Sequence, residues 1–395
     1  MFCRTPLLCL STFCDISGYS CVFYQLVMTR FELTTVLEDA RVNGLTHSLF
    51  PYPARTTPSI PREAISKLSP PGGIVLDPFC GGGTTLVEAL AQGRQAVGSD
   101  LNPVAVYVSR VKTTRIDPGK LDELVGYLAA ELTNGYDPDS TNSADFFDER
   151  ELGVLPAKVA ADLPHLVNLV SSLRVSDDLA RLMKLVLAAT CFTLQEKRMI
   201  ARIAAGKVSF PTLFAGRLRE AAKSMRAFHS RVPGSCKPQI INQDATALVD
   251  FVPSTVPKAD LVVMSPPYLG VHIEYAEVMM GGRVRSMVVP KILDIPIERR
   301  NFLISEGQYF EKMGTVASTL STVTKRGGYV CVIVGFKTDE HEKSFNTAFQ
   351  SNGLRLVSRW KRPVAQTYGT RRRFHSFLTK KTVMMRHESV LFYKS

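Results

Sequence analysis

Between residues 73 and 112, short apolar runs alternate with helix-forming stretches, and this alternation constrains the fold more than any other feature. Residues 73–77 (GIVLD) have the composition of a buried strand, and residues 84–91 have that of a helix. A second strand is predicted at 95–99, and Asn102-Pro103 starts a helix that runs to about residue 112. Such an order of elements is typical of the opening of a doubly wound, Rossmann-like α/β sheet.

A helical block interrupts this α/β pattern. From residue 118 to about 230, apolar residues such as Leu179, Leu182 and Val186 recur at helical spacing, and no strand is predicted. Further strands are then predicted at 239–241, 260–264, 328–335, 355–360 and 389–393, with a helix at about 305–326. The predicted domain bounds are 1–27 for an N-terminal extension, 28–117 and 236–395 for the two parts of the α/β domain, and 118–235 for a helical insertion.

The turn after the first strand belongs to the segment 77–85 (DPFCGGGTT). Its glycines let a ligand approach the backbone, and the helix that follows offers free N–H groups. No lysine follows the glycines, which disfavours a nucleoside triphosphate, and Leu86 stands where a dinucleotide fingerprint needs a small residue. Asp100 ends the second strand, where a carboxylate can hold ribose hydroxyls. The loop predicts a cofactor with an adenosine and no phosphate to neutralise; the alternative is a glycine-rich turn whose buried carboxylate caps the helix.

A second motif follows the predicted strand at 260–264, which runs directly into Ser265-Pro266-Pro267-Tyr268. An exocyclic base amine is a poor nucleophile, because its lone pair is delocalised into the ring. Two prolines stiffen the loop, so the Ser265 hydroxyl and the Pro266 carbonyl are preorganised to accept hydrogen bonds from such an amine. Tyr268 offers an aromatic face for an extruded base. The alternative interpretation is a rigid turn at a sheet edge.

Together, DPFCGGGTT and SPPY resemble the cofactor loop and the catalytic motif of the amino-methylating DNA methyltransferases, which modify an exocyclic amine of cytosine or adenine. The resemblance implies S-adenosyl-L-methionine as cofactor and Ser265, Pro266, Pro267 and Tyr268 as catalytic residues. The cofactor-binding residues that it implies in the loop and at the next strand are Asp77, Phe79, Cys80, Gly81, Gly83, Thr84 and Asp100. Serine is commoner in the family where this chain has Gly82, a difference that leaves the backbone amide in place.

Two weaker similarities extend the predicted cofactor site. Residues 47–55 (HSLFPYPAR) resemble the segment that precedes the loop in the family and closes over the methionine end of the cofactor, which implies contacts from Tyr52 and Pro53. Asp244 resembles the residue that accepts a hydrogen bond from the adenine amino group. The alternatives are an ordinary proline-rich turn and, for Asp244, a turn residue or helix cap.

The first residue of the tetrapeptide bears on the target base. Serine at this position resembles the cytosine-N4 enzymes, whereas adenine-N6 enzymes more often have Asp or Asn. We therefore expect methylation of cytosine N4 in DNA. The alternatives are adenine-N6 methylation, an RNA base methyltransferase and a non-catalytic nucleic-acid-binding protein.

The charge balance also favours a nucleic-acid partner. The 395 residues include 48 Lys or Arg and 36 Asp or Glu, a formal net charge of +12. The segment 361–374 combines cations with aromatic residues, and Arg283 and Arg285 follow the catalytic motif. Double-stranded DNA is the expected partner, and the resemblance leaves open a cognate restriction nuclease. For 361–374, a solvated surface loop is an equal alternative.

Cysteine usage and hydropathy exclude several other classes. The eight cysteines contain no C-x-x-C pair, so we expect free thiols in a reducing cytoplasm and no metal site. No apolar run reaches the ~18 residues that a membrane-spanning helix needs. Four of the cysteines fall within residues 1–27, which we interpret as a poorly structured extension before a second candidate start at Met28.

Overall fold

In the computed structural model, seven strands form one sheet in the part of the chain that is described. The structure describes residues 44–52, 55–135, 146–195, 197–250, 257–269, 283–296, 305–363 and 387–395. The strands are β1 (Ile74–Asp77), β2 (Gln95–Ser99), β3 (Pro238–Ile241), β4 (Ala259–Met264), β5 (Thr324–Phe336), β6 (Arg355–Pro363) and β7 (His387–Lys394).

The sheet has the order β3-β2-β1-β4-β5-β7-β6. Strands β1 to β5 are parallel, and β7 lies antiparallel between β5 and β6. The connection from β1 leads towards one edge and the connection from β4 towards the other, so right-handed crossovers place their helices on opposite faces. The doubly wound, Rossmann-like sheet predicted from the sequence is confirmed, and its strand order reverses between β1 and β4.

Twelve α-helices connect or cover these strands within the described ranges. They are α1 (Ser59–Leu68), α2 (Thr84–Ala91), α3 (Pro103–Thr113), α4 (Pro118–Ala130), α5 (Glu149–Gly153), α6 (Ala157–Ser171), α7 (Asp177–Cys191), α8 (Lys197–Ala204), α9 (Phe210–Arg231), α10 (Arg283–Ile292), α11 (Glu306–Val323) and α12 (Asp339–Gln350). Apolar residues of α11 and α12 share a core with Leu76 of β1 and Val262 of β4. Helices α1 and α2 contact the central strands, and α3 contacts β3.

The helical insertion consists of α4 to α9, and its described residues contain no strand. Its core is shared with the rest of the protein. Leu182, Leu218 and other apolar residues of the insertion pack in one cluster with Phe50 and with Val108 of α3. The rings of Phe50 and Phe192 meet edge to face, with their centroids 4.8 Å apart. The bounds 118–235 therefore remain a sequence-based prediction, because the packing crosses them.

The helix predicted at 305–326 ends earlier than expected, and the strand after it begins earlier. Helix α11 stops at Val323, and β5 starts at Thr324, which pairs with Ala259 ahead of an irregularity in the ladder. Gly327 has a φ of +81°, a conformation that favours glycine, and its N–H donates to the Ser395 carbonyl at 2.8 Å. Pairing with distant residues thus extends the strand beyond the local pattern.

Several predicted features lie outside the described residues. They are the extension at 1–27, Pro53, residues 364–374 of the predicted basic segment 361–374, and the side chains of Arg283 and Arg285. Within the described part, no helix combines the length and the apolar character needed to cross a bilayer.

Candidate active site

The two predicted motifs lie side by side at the carboxyl edge of the sheet. Residues 77–85 follow β1 and Ser265–Tyr268 follow β4, and these strands are hydrogen-bonded neighbours, with Leu76 opposite Val262. The strand order reverses between β1 and β4, and open α/β sheets bind ligands in the crevice at such a point. Residues that are almost 190 positions apart in sequence are therefore brought to one site.

The glycine loop has the backbone conformation that its composition predicts. Gly81 and Gly83 have φ angles of +48° and +76°. The Gly83 N–H donates to the Cys80 carbonyl at 2.7 Å, and Thr84 begins α2. At the start of the loop, buried Asp77 accepts a hydrogen bond from the Phe79 N–H at 3.1 Å.

Cys80 directs its side chain towards the protein interior. Its Sγ accepts a hydrogen bond from Ser109 Oγ at 3.6 Å, and burial raises the pKa of the thiol well above its usual value. A Cβ on Gly98 would lie 3.3 Å from Cys80 Cβ and 2.6 Å from Leu86 Cδ1, so this strand residue leaves room for both. Cys80 can therefore offer a ligand its backbone more readily than its thiol.

Asp100 ties the end of β2 to the glycine loop. Its Oδ2 accepts from the Gly81 N–H at 2.8 Å, and its Oδ1 accepts from the Asn102 N–H at 2.9 Å. Burial raises the pKa of Asp100 to about 6 and that of Asp77 to about 7. The carboxyl edge thus holds two acidic groups whose ionised forms are poorly solvated. A cationic ligand bound nearby would stabilise those ionised forms.

Residues 44–52, here named the strap, run across the glycine loop. The Tyr52 ring lies so close that a Cβ on Gly82 would be 2.9 Å from Tyr52 Cβ, and one on Gly81 would be 3.2 Å from Tyr52 Cε1. Asn102 Nδ2 donates to the Tyr52 hydroxyl at 3.3 Å. Tyr52 therefore contacts the glycine loop, and its contact with the cofactor stays a prediction.

Buried charged groups anchor the strap to α2 and α3. His47 Nε2 lies 2.8 Å from Glu88 Oε1, and Arg62 makes two 2.9 Å hydrogen bonds to the same carboxylate. Burial alone would raise the pKa of Glu88, but the hydrogen bonds from His47 and Arg62 outweigh it and lower that pKa. Lys112 Nζ donates to the carbonyls of His47 and Phe50, each at 3.2 Å.

The loop after β3 closes the other side of the cofactor region. Asn242 Nδ2 donates to the carbonyls of Asp100 and Leu101, at 2.8 and 3.1 Å. Asp244 Oδ1 accepts from the N–H and the hydroxyl of Thr246 and so caps a short 3₁₀ turn. Asp244 therefore has the capping role that was the alternative for it, and its contact with adenine stays a prediction.

Two residues that the motifs did not reveal hold the Ser265–Tyr268 turn. The Tyr268 hydroxyl donates to Glu388 Oε1 at 2.6 Å, and the Tyr309 hydroxyl donates to the Pro267 carbonyl at 2.9 Å. Glu388 and Tyr309 are 2% and 4% exposed. No local sequence pattern marks either residue, because Glu388 is 120 positions from Tyr268. In the described residues, no group of three His, Cys, Asp or Glu side chains is arranged to hold a metal ion.

The fold and the two motifs together define a doubly wound, Rossmann-like domain with a candidate ligand site at the carboxyl edge of its sheet. Residues 26–110 match a protein-family model described as DNA methylase. This match covers the strap and the glycine loop, and it confirms the resemblance to the amino-methylating DNA methyltransferases for this segment.

Two similar proteins are both described as Type II methyltransferases. The Type II methyltransferase M.MvaI of Kocuria varians is 40% identical over 101 residues, which are 24% of this chain and 22% of that protein. The Type II methyltransferase M.MjaII of Methanocaldococcus jannaschii is 30% identical over 79 residues, which are 20% of this chain and 15% of that protein. The matched segment thus spans about a fifth of the length of these relatives.

Among solved structures, the rRNA methyltransferase aviRa from Streptomyces viridochromogenes has a TM-score of 0.35 at 12% identity, covering 93% of this chain and 94% of that one.

Proposed function

We propose that this protein is a DNA methyltransferase that transfers a methyl group from S-adenosyl-L-methionine to the N4 amine of cytosine. One observation carries the proposal. The glycine loop and the Ser265–Tyr268 turn follow adjacent parallel strands at the point where the strand order reverses. A cofactor held by the first motif would lie next to a base held by the second.

The residues at the carboxyl edge fit the cofactor. Gly81 and Gly83 open the backbone at the start of α2, and no lysine is present to neutralise a phosphate. Asp100 would hold the ribose hydroxyls and Asp244 the adenine amino group, while Tyr52 would cover the methionine end together with Pro53. When bound, the cofactor supplies an electrophilic methyl group on a cationic sulfur, a charge that suits the poorly solvated carboxyls of Asp77 and Asp100.

The catalytic turn would activate the amine through hydrogen-bond acceptors. Ser265 Oγ and the Pro266 carbonyl would accept the two N–H bonds of the exocyclic amine, which favours a tetrahedral nitrogen with an available lone pair. Tyr268 would stack on the extruded base, and its hydroxyl is already bonded to Glu388. No side chain has to act as a nucleophile, because alignment of the amine with the methyl group contributes most of the rate.

The choice of cytosine N4 depends on Ser265, the first residue of the turn. The family-model match and the named relatives support an amino-methylating DNA enzyme in general. We further propose that the enzyme acts in the cytoplasm on double-stranded DNA. The resemblance leaves open a restriction nuclease with the same recognition site as a protein partner.

Incubation with labelled S-adenosyl-L-methionine and either unmodified duplex DNA or total RNA, followed by nucleoside mass spectrometry, tests the proposal. We expect N4-methylcytosine in DNA. N6-methyladenine would correct the base alone, whereas label confined to RNA would overturn the substrate. Ser265→Ala should reduce methyl transfer strongly and leave cofactor affinity nearly unchanged, and wild-type turnover by this variant would refute the catalytic assignment.

A further inference from the structure

The helical insertion carries an unusual separation of charge. Residues 197–219 contain six Lys or Arg and no Asp or Glu. Four of these cations lie on α8 or just after it, at Lys197, Arg198, Arg202 and Lys207, and all four are exposed. We name these four residues the α8 cations.

The α8 cations have no partners within the described residues. None of them makes an ion pair or a side-chain hydrogen bond there. The opposite side of the helix is fixed, since Ile203 is buried and Met199 packs against the core of the insertion. Arg198 and Arg202 are one helical turn apart and so share a face. The packed helix therefore presents to solvent several cations that no described residue neutralises.

The packing of the insertion separates α8 from the amino edge of the sheet. Arg115, just after α3, makes a hydrogen bond to His229 near the end of α9, so the end of α9 lies at the amino edge. Helix α9 has 22 residues and is about 33 Å long, so its beginning, which comes six residues after the end of α8, lies far from Arg115.

A second contact links this region to the site. The Phe192 ring packs on Phe50, two residues from Tyr52, and α8 begins five residues after Phe192. The cationic helix thus follows closely on a segment that contacts the strap.

We propose that the α8 cations bind the phosphate backbone of duplex DNA and hold the duplex against the active site. This inference rests on the proposed function and assigns a role to the helical insertion. Regularly spaced phosphates complement a row of exposed cations, and each ion pair releases counterions, so the contact is independent of base sequence and sensitive to salt. The protein can then stay bound to the duplex while a base is extruded towards Tyr268.

The test compares two full-length quadruple variants that each remove four positive charges. One is K197A/R198A/R202A/K207A, and the control is K120A/K223A/K312A/K343A, whose exposed lysines are scattered over α4, α9, α11 and α12. Fluorescence anisotropy with an unmodified 30-base-pair duplex would give affinity as a function of salt, and circular dichroism and cofactor affinity would verify folding. R198E/R202E is a second variant, with fewer substitutions.

We expect the α8 variant to bind duplex at least about tenfold more weakly than the control, and its log–log salt slope to fall by about 2 to 4, near one per phosphate contact. The KM for DNA should rise while cofactor affinity stays constant. If the wild-type protein methylates DNA but the α8 variant and the control bind duplex with the same affinity and salt dependence, this inference alone is overturned. A wild-type protein that binds no duplex at all would overturn both this inference and the proposed function.

Discussion

At the residue scale, Gly82 and Tyr52 are complementary in shape. Serine is commoner than glycine at this position in the family that the loop resembles, yet a Cβ here would lie 2.9 Å from Tyr52 Cβ. The absence of a side chain at Gly82 therefore leaves the space that Tyr52 of the strap occupies against the loop. We expect Gly82→Ser to displace Tyr52 and to lower the free energy of unfolding by ~1–3 kcal/mol.

Urea denaturation would measure this loss. Gly126→Ser is a suitable control, because nothing lies within 4 Å of a Cβ built at Gly126. In a Tyr52→Gly background, which removes the Tyr52 Cβ as well as the ring, the serine should cost much less, and a double-mutant cycle would show this as coupling between the two positions. Equal losses at Gly82 and Gly126 would contradict the proposed complementarity.

Two acidic residues predict a pH dependence for cofactor binding. Burial raises the pKa of Asp77 to about 7 and of Asp100 to about 6, so both are partly protonated in the native protein below those values. A cationic ligand favours their ionised forms, so affinity for S-adenosyl-L-methionine should rise between about pH 5.5 and 7.5 and level off above that range. Over the same range, stability of the ligand-free protein should fall as pH rises, since the native state binds more protons than the unfolded state.

Isothermal titration calorimetry in two buffers of different ionisation enthalpy would count the protons released on binding. Asp100→Asn should remove part of that release. An affinity that does not change between pH 5.5 and 7.5 would show that the carboxyls do not sense the ligand.

Tyr268 has a ring and a hydroxyl that can be tested separately. Tyr268→Ala removes the stacking face, and stacking of a base on an aromatic ring is worth ~1–3 kcal/mol, or roughly 5- to 150-fold. Tyr268→Phe keeps the ring and removes the hydroxyl that bonds to Glu388, so we expect a smaller loss of methyl transfer in single-turnover assays. Glu388→Gln retains an acceptor oxygen and should resemble the wild type more closely than Tyr268→Phe does. If Tyr268→Phe were as impaired as Tyr268→Ala, the hydroxyl rather than the ring would be the important group.

At the element scale, helix α2 acts as the anchor of the strap. Glu88 is 2% exposed and ionised, and His47 and Arg62 both bond to it. Glu88→Gln should cost about 1.5–3 kcal/mol, because it weakens hydrogen bonds to a charged group in a buried setting. The pKa of Glu88 is below its usual value, so its contribution should be complete above about pH 4.5 and be lost as pH falls further.

Thermal and urea unfolding would measure this contribution, with Glu63→Gln as the control. Glu63 forms an ion pair with Lys67, which lies four residues later on the surface of α1. Such a pair contributes only about 0.3–0.5 kcal/mol to stability. Hydrogen exchange of residues 46–52 should speed up in Glu88→Gln and stay unchanged in Glu63→Gln. Equal behaviour of the two variants would argue against the anchoring role.

The elements that could be predicted are those defined by local pattern. The strands at 74–77, 95–99 and 259–264 and the glycine turn depend on neighbouring residues, so periodicity and glycine placement are sufficient to find them. The early start of β5 and the bond from Tyr268 to Glu388 depend on residues more than 60 positions away, which no local pattern records. The sequence therefore predicts the two motifs of the site, but it does not predict the distant residues that hold those motifs in place.

At the scale of the whole molecule, the helical insertion and the α/β domain share a hydrophobic core. Leu49, Phe50 and Val108 pack in the same cluster as Leu182 and Leu218. An excised fragment of residues 114–235 would expose the apolar surface that these residues cover. We expect it to lack a cooperative unfolding transition and well-dispersed amide resonances, in contrast to the full chain. A fragment that unfolds cooperatively with native-like stability would show that the insertion is a separate domain.

The position of β7 also has a consequence for the order of folding. In the described sheet, β6 reaches β5 only through β7, although β7 comes later in the chain. Strand β6 therefore cannot join the sheet until β7, more than twenty residues downstream, has paired with β5. Until then β6 is an unpaired strand that can pair incorrectly. Glu388 arrives on that same strand, so the support of Tyr268 is completed in the step that closes the sheet. During refolding, catalytic competence should consequently appear late, after most of the helical signal has been regained.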